Sequence, residues 1–198
     1  MANYALKTHG ITEDTPKKLL FSAGTYYKNL KYSEGKWEGT VLGATSGGGK
    51  LSITPEYVDA ELDGATVAVK GAKFKVAETA SIETNLTEIS EGVVADALHL
   101  VKDTTFTDNG WTKYDSKSLL EDSDFLENIA FVGTLTSGKQ VIVILDNAIC
   151  TSAFEIEGKN KEQATYTCTF ECTADFTQDD LYHLPYHIYF PTETTAQV

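Results

Sequence analysis

Five groups of residues in this 198-residue chain have types and spacings that invite a chemical reading. Residues 43–50, GATSGGGK, look like a phosphate-binding loop. That loop needs four residues between its first glycine and a Gly-Lys pair, followed by serine or threonine. Here five residues separate Gly43 from Gly49, and Leu51 follows Lys50, so the backbone cradle and the hydroxyl for a magnesium ion are both lost. His183 and His187 have the i, i+4 spacing of zinc helices, but Pro185 lies between them and the neighbours Tyr186, Ile188, Tyr189 and Phe190 favour a strand, which holds such residues too far apart for one metal. Glu121, Asp122, Asp124 and Glu127 form an acidic cluster, yet Leu126 and Glu127 stand where a calcium loop requires an oxygen ligand and a glycine. Cys150, Cys168 and Cys172 are an odd number without redox or zinc spacing. Cys168 and Cys172, four residues apart in an extended strand, are too distant to bridge and read as core fillers. Asn85-Leu86-Thr87 is a formal glycosylation sequon. No catalytic, metal or cofactor site is therefore expected, and the chain reads as a non-enzyme.

The charge pattern excludes further partners. Twenty-nine acids face sixteen basic residues, all of them lysine, for a net charge of −13. A nucleic-acid surface needs a basic stripe, and arginine is its usual grip on phosphate and guanine. Specific DNA binding and attachment to an anionic membrane are not expected. The first ten residues lack the apolar core of a signal peptide, and the apolar run at 141–145 is too short to cross a bilayer. With an unpaired cysteine set, a reducing cytoplasm is the expected compartment. At 41% hydrophobic and 23% charged, the composition suits one domain spanning 1–198, burying about 70–75% of its unfolded surface.

The elements that would position these residues are mostly strands. Thr15-Pro16 begins a short helical turn. Tyr26, Tyr27 and Tyr32 mark a strand at 25–32, and residues at about 33–50 read as a mobile glycine-rich loop or arm around a short strand at 39–42. Further strands are expected at 51–53, 67–76 and 79–89, with a turn at Asp63-Gly64. In the last of these Ala80, Ile82 and Leu86 share one face. Val93, Val94, Ala97, Leu98 and Val101 form the apolar stripe of one helix at 91–102, capped by Ser90. Residues 103–123 read as loop. Strands 129–135 and 140–149 form a hairpin around Ser137-Gly138, and 154–157 is expected to pair with 164–176, where Tyr166, Cys168, Phe170, Cys172, Ala174 and Phe176 alternate with polar residues.

The N-terminal half resembles the major tail protein, the tail tube subunit, of long-tailed phages and prophages of Gram-positive bacteria. The resemblance lies in 23–30 (AGTYYKNL), 37–51 (WEGTVLGATSGGGKL), Pro55-Glu56, Asp63-Gly64-Ala65 and 78–83 (ETASIE), with the closing strand from Leu184-Pro185 to Phe190 also similar. It implies a mainly β fold, a β-sandwich of two steeply crossed sheets with one flanking α-helix. It implies hexameric rings stacked into a tube, partners in a tape-measure protein and in tail terminator and initiator proteins, and double-stranded DNA passing without specific binding. The place implied is the tail of a virion assembled in the bacterial host cytoplasm. Trp37, Gly43, Ser46, Gly47, Gly48, Gly49 and Lys50 become the expected inter-ring loop. Glu83, Glu155, Glu157, Glu171 and Asp175 become candidate acids of the channel wall, where carboxylates repel phosphate over about 8 Å at physiological salt. The competing reading, a carbohydrate-binding β-sandwich module, rests on Trp37, Trp111 and Tyr114, whose rings suit stacking on sugars.

Overall fold

The computed structural model describes residues 9–108, 110–177 and 181–192. The elements are β1 (Thr25–Ser33), β2 (Lys36–Val41), β3 (Thr45–Asp59), β4 (Lys73–Leu86), α1 (Glu91–Leu98), β5 (Val101–Lys102), β6 (Tyr114–Asp115), β7 (Leu126–Thr134), β8 (Gln140–Cys150), β9 (Tyr166–Cys172) and β10 (Tyr186–Tyr189). Single 3₁₀ turns occupy Thr15–Lys17 and Asp122–Asp124. Among the described residues the protein is mainly β with one α-helix, as its patterning predicts.

All strands but β5 and β6 join one antiparallel ladder in the order β2-β1-β7-β8-β9-β4-β3, with β10 added beside β8. The expected hairpin β7–β8 is present, from Leu126↔Ala148 to Thr134↔Gln140. The other edge of β8 is divided. Residues 142–145 pair with β10, and residues 148–150 pair with β9. The two sheets expected from the sequence are thus leaves of one continuous ladder that share β8.

The leaves face each other because the chain allows no other arrangement. β2 and β3 stand at opposite ends of the ladder, yet only residues 42–44 connect them. A flat ladder would place β1 and β3, five steps apart, about 24 Å from each other. Instead the Tyr26 hydroxyl of β1 occupies the space a Cβ on Gly49 of β3 would fill. The corner is held on both sides, by Leu42 N–H to Tyr26 O at 2.9 Å and by Thr87 N–H to Ala44 O at 2.9 Å. Between the leaves lie Tyr26, Ile82, Leu86, Ile129, Leu145, Cys168 and Phe170, all buried. The period-two stripe of β4 supplies Ala80, Ile82, Thr84 and Leu86 to this core, and α1 adds Val93 and Ala97. A second, smaller cluster on the outer face of β7 and β8 contains Ala130, Val132, Ile142 and Ile144. Strand β8 is therefore apolar on both faces, which explains its unbroken apolar run.

Four expectations need correction. The glycine-rich stretch at 33–50 is not a free arm but two strands and a corner. Gly47 and Gly48, with φ of 78° and 76°, form a bulge between the pairs Thr45↔Leu86 and Gly49↔Thr84, a left-handed backbone that glycine adopts without strain. Residues 67–72 are not strand, because Ala72 N–H turns back to Val69 O across Lys70 and Gly71, and β4 starts at Lys73. The helix stops at Leu98 and not at Lys102, since His99 turns left-handed with φ 51° and Val101–Lys102 pairs instead with Tyr114–Asp115. Residues 154–157 form no strand either. The Ser152 hydroxyl accepts from Thr169 N–H and donates to Thr167 O, both at 3.1 Å, so a side chain takes the place of a paired strand there.

One buried polar side chain completes β1. The strand bulges between Lys28 and Lys31, where Asn29 has φ 55°. Leu30 is thereby left without a backbone partner on β7. Asn128 replaces it, its Oδ1 accepting from Leu30 N–H at 2.7 Å and its Nδ2 donating to Leu30 O at 3.1 Å. Asn128→Leu would bury both backbone groups unpaired, at about 1–3 kcal/mol each. The expected outcome is a loss of roughly 2–4 kcal/mol in urea unfolding, with Asn128→Asp also destabilising because its carboxylate keeps the acceptor for Leu30 N–H but sets a buried charge against Leu30 O.

Candidate assembly surface

The chemistry-bearing residues are tied into structure. All three cysteines are buried and free. Burial pushes the Cys172 thiol up to about 12, and a hydrogen bond with Cys150, aided by burial, raises Cys168 far above its ordinary value. Cys168 and Cys172, held protonated in this way, are poor nucleophiles, whereas the hydrogen bond with Cys168 holds Cys150 below the ordinary thiol range. Of the acidic cluster, Glu121 and Asp124 form a reciprocal capping box, and Lys117 bridges them at 3.2 Å and 2.7 Å. His187 lies on β10 and pairs with Asp146 at 3.1 Å. Among the described residues no group of three or more His, Cys, Asp or Glu is placed to hold a metal ion, and no helix is long and apolar enough to cross a membrane.

The expected inter-ring residues divide between a fixed ring and an open edge. Trp37 is half-buried on β2, packed against Tyr32 and Tyr189 with ring centroids 5.1 Å and 5.0 Å away. Gly43 sits at the corner beside Glu88, whose carboxylate accepts from Ala44 N–H at 2.9 Å. Ser46, Gly47, Gly48, Gly49 and Lys50 begin β3, the last strand of the ladder, whose outer edge has no partner among the described residues. Among the described residues no ring contact joins Trp111 or Tyr114 to Trp37. Tyr114 donates to Glu91 at 2.7 Å, while Trp111 stands exposed in a loop. The three aromatics of the carbohydrate reading do not form one platform.

The candidate wall acids occupy three places. Glu83 and Glu171 lie on the outer, polar face of the β9-β4-β3 leaf with Ser81, Asn85, Thr167 and Thr169. Lys50 stands directly opposite Glu83, and Thr151 donates to Glu171 at 3.0 Å. Glu155 and Glu157 fall in the irregular segment after Ser152, beside Lys159 and Glu162. Asp175 lies beyond β9, in a turn where its carboxylate accepts from Thr177 N–H at 2.8 Å and is held below the usual carboxylate range by that bond. Only Glu83 and Glu171 share a strand face.

Sequence reasoning missed the largest surface feature. β4 pairs with β9 only from Ser81 to Leu86, but its pairing with β3 continues to Asp59↔Lys73. Residues 54–59 and 73–79 therefore project past the body as a two-stranded ribbon. A register shift between Glu56 and Tyr57 turns the ribbon: Lys75, opposite Tyr57, lies on the face of Glu78 and Pro55, and Phe74 pairs with Val58 on the opposite face. Glu78 closes the core, held by Lys75 at 2.6 Å and by Tyr186 at 3.3 Å. Beyond it the ribbon's apolar side chains are uncovered: Val58, Phe74 and Val76 are 53%, 56% and 58% exposed, and Leu62, Val67 and Val69 at the tip are exposed as well. A two-stranded ribbon with a bare apolar face lacks the second layer that stabilises such a pair.

No family model and no curated protein matches this sequence. Among solved structures, a chain described as the tail of an empty GTA particle, computed with helical refinement in C6 symmetry, aligns over 77% of this chain and 92% of its own at 13% identity and a TM-score of 0.44. A chain from the virion of a native gene transfer agent particle aligns over the same shares at 13% identity and a TM-score of 0.42. Likeness at these scores does not establish a shared fold or function.

Replacing Phe74 and Val76 together by serine should leave urea unfolding within about 0.5 kcal/mol of the parent, because both side chains are more than half exposed. The same double change should raise the protein concentration needed for self-association at least tenfold in sedimentation velocity.

Proposed function

We propose that this chain is the structural subunit of a phage-type tail tube. Six copies form each ring, rings stack into a tube, and the assembly forms in a bacterial host cytoplasm before joining a virion tail. The observation that carries the reading is the combination of an uncovered apolar ribbon with unpaired edges on β2 and β3. Such edges invite pairing with another chain. Copies related by a closing rotation satisfy them in a ring, and heterologous contacts between rings extend the tube. The sequence resemblance over 23–83 supports the same assignment.

Charge is consistent with the passage of double-stranded DNA. Six copies at −13 carry 6 × −13 = −78 per ring. The outer face with Glu83, Glu171 and its serines and threonines is the best-formed wall, polar enough to stay wet and acidic enough not to hold phosphate. The tape-measure protein would occupy the channel before DNA, with terminator and initiator proteins at the tube ends.

Negative-stain microscopy of the concentrated protein, alone and with tail-initiator proteins, tests this function. Rings or tubes of uniform diameter are the expected result. A chain that sediments as a monomer under every condition would sink it. Reversing charge with Glu83→Lys and Glu171→Lys should leave assembly intact but make the tubes retain double-stranded DNA at low salt, measured by co-sedimentation.

A further inference from the structure

A groove and a knob at opposite ends of β8 complement each other. The groove, about 490 Å³, lies at the β7–β8 turn and is lined by Lys17, Lys18, Leu135, Lys139, Val141 and Phe190 among others. Among the described residues it brings Lys17, Lys18 and Lys139 to one rim of a strongly acidic chain, with Asp14 paired to Lys17 at 3.2 Å. Its floor is apolar. Lys139 is steadied by donating to Thr192 O at 3.1 Å.

The knob is Phe176, which is 96% exposed. Its position is fixed rather than free. Thr173 is anchored to Asn147 O through both its N–H and its hydroxyl, at 3.3 Å and 2.6 Å, and Asp175 accepts from Thr177 N–H to shape the turn around the ring. Asp175 and Asp122 make this end acidic. A fully solvated phenylalanine on this turn offers a partner a large apolar side chain to bury. From Val141 to Asn147 is six residues along β8, so groove and knob are separated by about 20 Å along one strand.

We infer that Phe176 of one copy inserts into the lysine-rimmed groove of the next, with Asp175 meeting the lysines at its rim. The occupant is a second copy because groove and knob match in both polarity and charge, and a carboxylate retains acceptor capacity after one hydrogen bond. A contact between two different patches at opposite ends of one strand is heterologous and propagates along the strand direction. It deepens the tube reading above, on whose self-association it rests, by naming a longitudinal contact.

Sedimentation velocity and negative-stain microscopy of Phe176→Ser test it. Because the ring is exposed, the variant should unfold at the parent's urea midpoint. The expected result is lateral association without elongation, with the concentration for elongation raised at least tenfold. Asp175→Lys and Lys139→Glu should each weaken elongation, and the double variant Asp175→Lys/Lys139→Glu should recover it, since the reversed charges meet across the contact. Elongation of Phe176→Ser at the parent's concentration overturns the contact while leaving the tube reading intact. Failure of the charge reversal to rescue also overturns it. A parent protein that never associates removes both.

Discussion

The division of one strand edge organises this protein. β8 gives its first edge wholly to β7 and splits the second between β10 at 142–145 and β9 at 148–150. A strand can satisfy each backbone group once, so two partners on one edge must diverge past the junction. The divergence produces two leaves from one ladder, and the short link at 42–44 then brings the far ends of that ladder together. The core between the leaves follows from this closure. Val143 and Leu145 point into it, while Ile142 and Ile144 serve the smaller cluster on the other face.

The same closure decides what remains unsatisfied. Within the body, departures from regular pairing are repaired locally: Asn128 replaces a ladder pair at Leu30, Ser152 caps the edge of β9, and glycines absorb the bulge of β3. Past Glu78 there is no such repair. The ribbon holds Val58, Phe74 and Val76 in water without a second layer, and among the described residues β2 and β3 keep open edges. Large apolar side chains left uncovered in this way suit burial against other molecules. Charge governs which molecules those are. An arginine-free surface with 29 acids disfavours nucleic acid and anionic membranes, and its lysine-rimmed groove favours an acidic counterpart such as its own Asp175 turn.

Much of this was legible in the sequence wherever one physical rule acted alone. Alternation in 80–86 and 166–172 identified strands and their buried faces, because a half-buried strand has only one way to hide every second side chain. The turn at Ser137-Gly138 marked the β7–β8 hairpin. Motif spacing was enough to set aside the phosphate loop and the calcium loop. The readings that failed were those in which a local preference met a tertiary partner. Glycines 47–49 favour disorder by composition, but β4 offers a ladder that makes them a bulge. Residues 154–157 alternate like a strand, but the edge of β9 they would have joined is met by the Ser152 hydroxyl.

What the sequence by itself determined is therefore the inventory: a mainly β chain, one helix, an acidic surface and core thiols, all consequences of residue type and short-range period. The tertiary structure alone decided that 54–79 projects as a ribbon, that Glu83 and Glu171 share a face while Glu155, Glu157 and Asp175 do not, and that Phe176 and the lysine groove sit at opposite ends of β8. Exposure is the reason. Period two tells which side chains share a face, but whether a second layer covers that face depends on partners far away in the chain, and no local pattern records them.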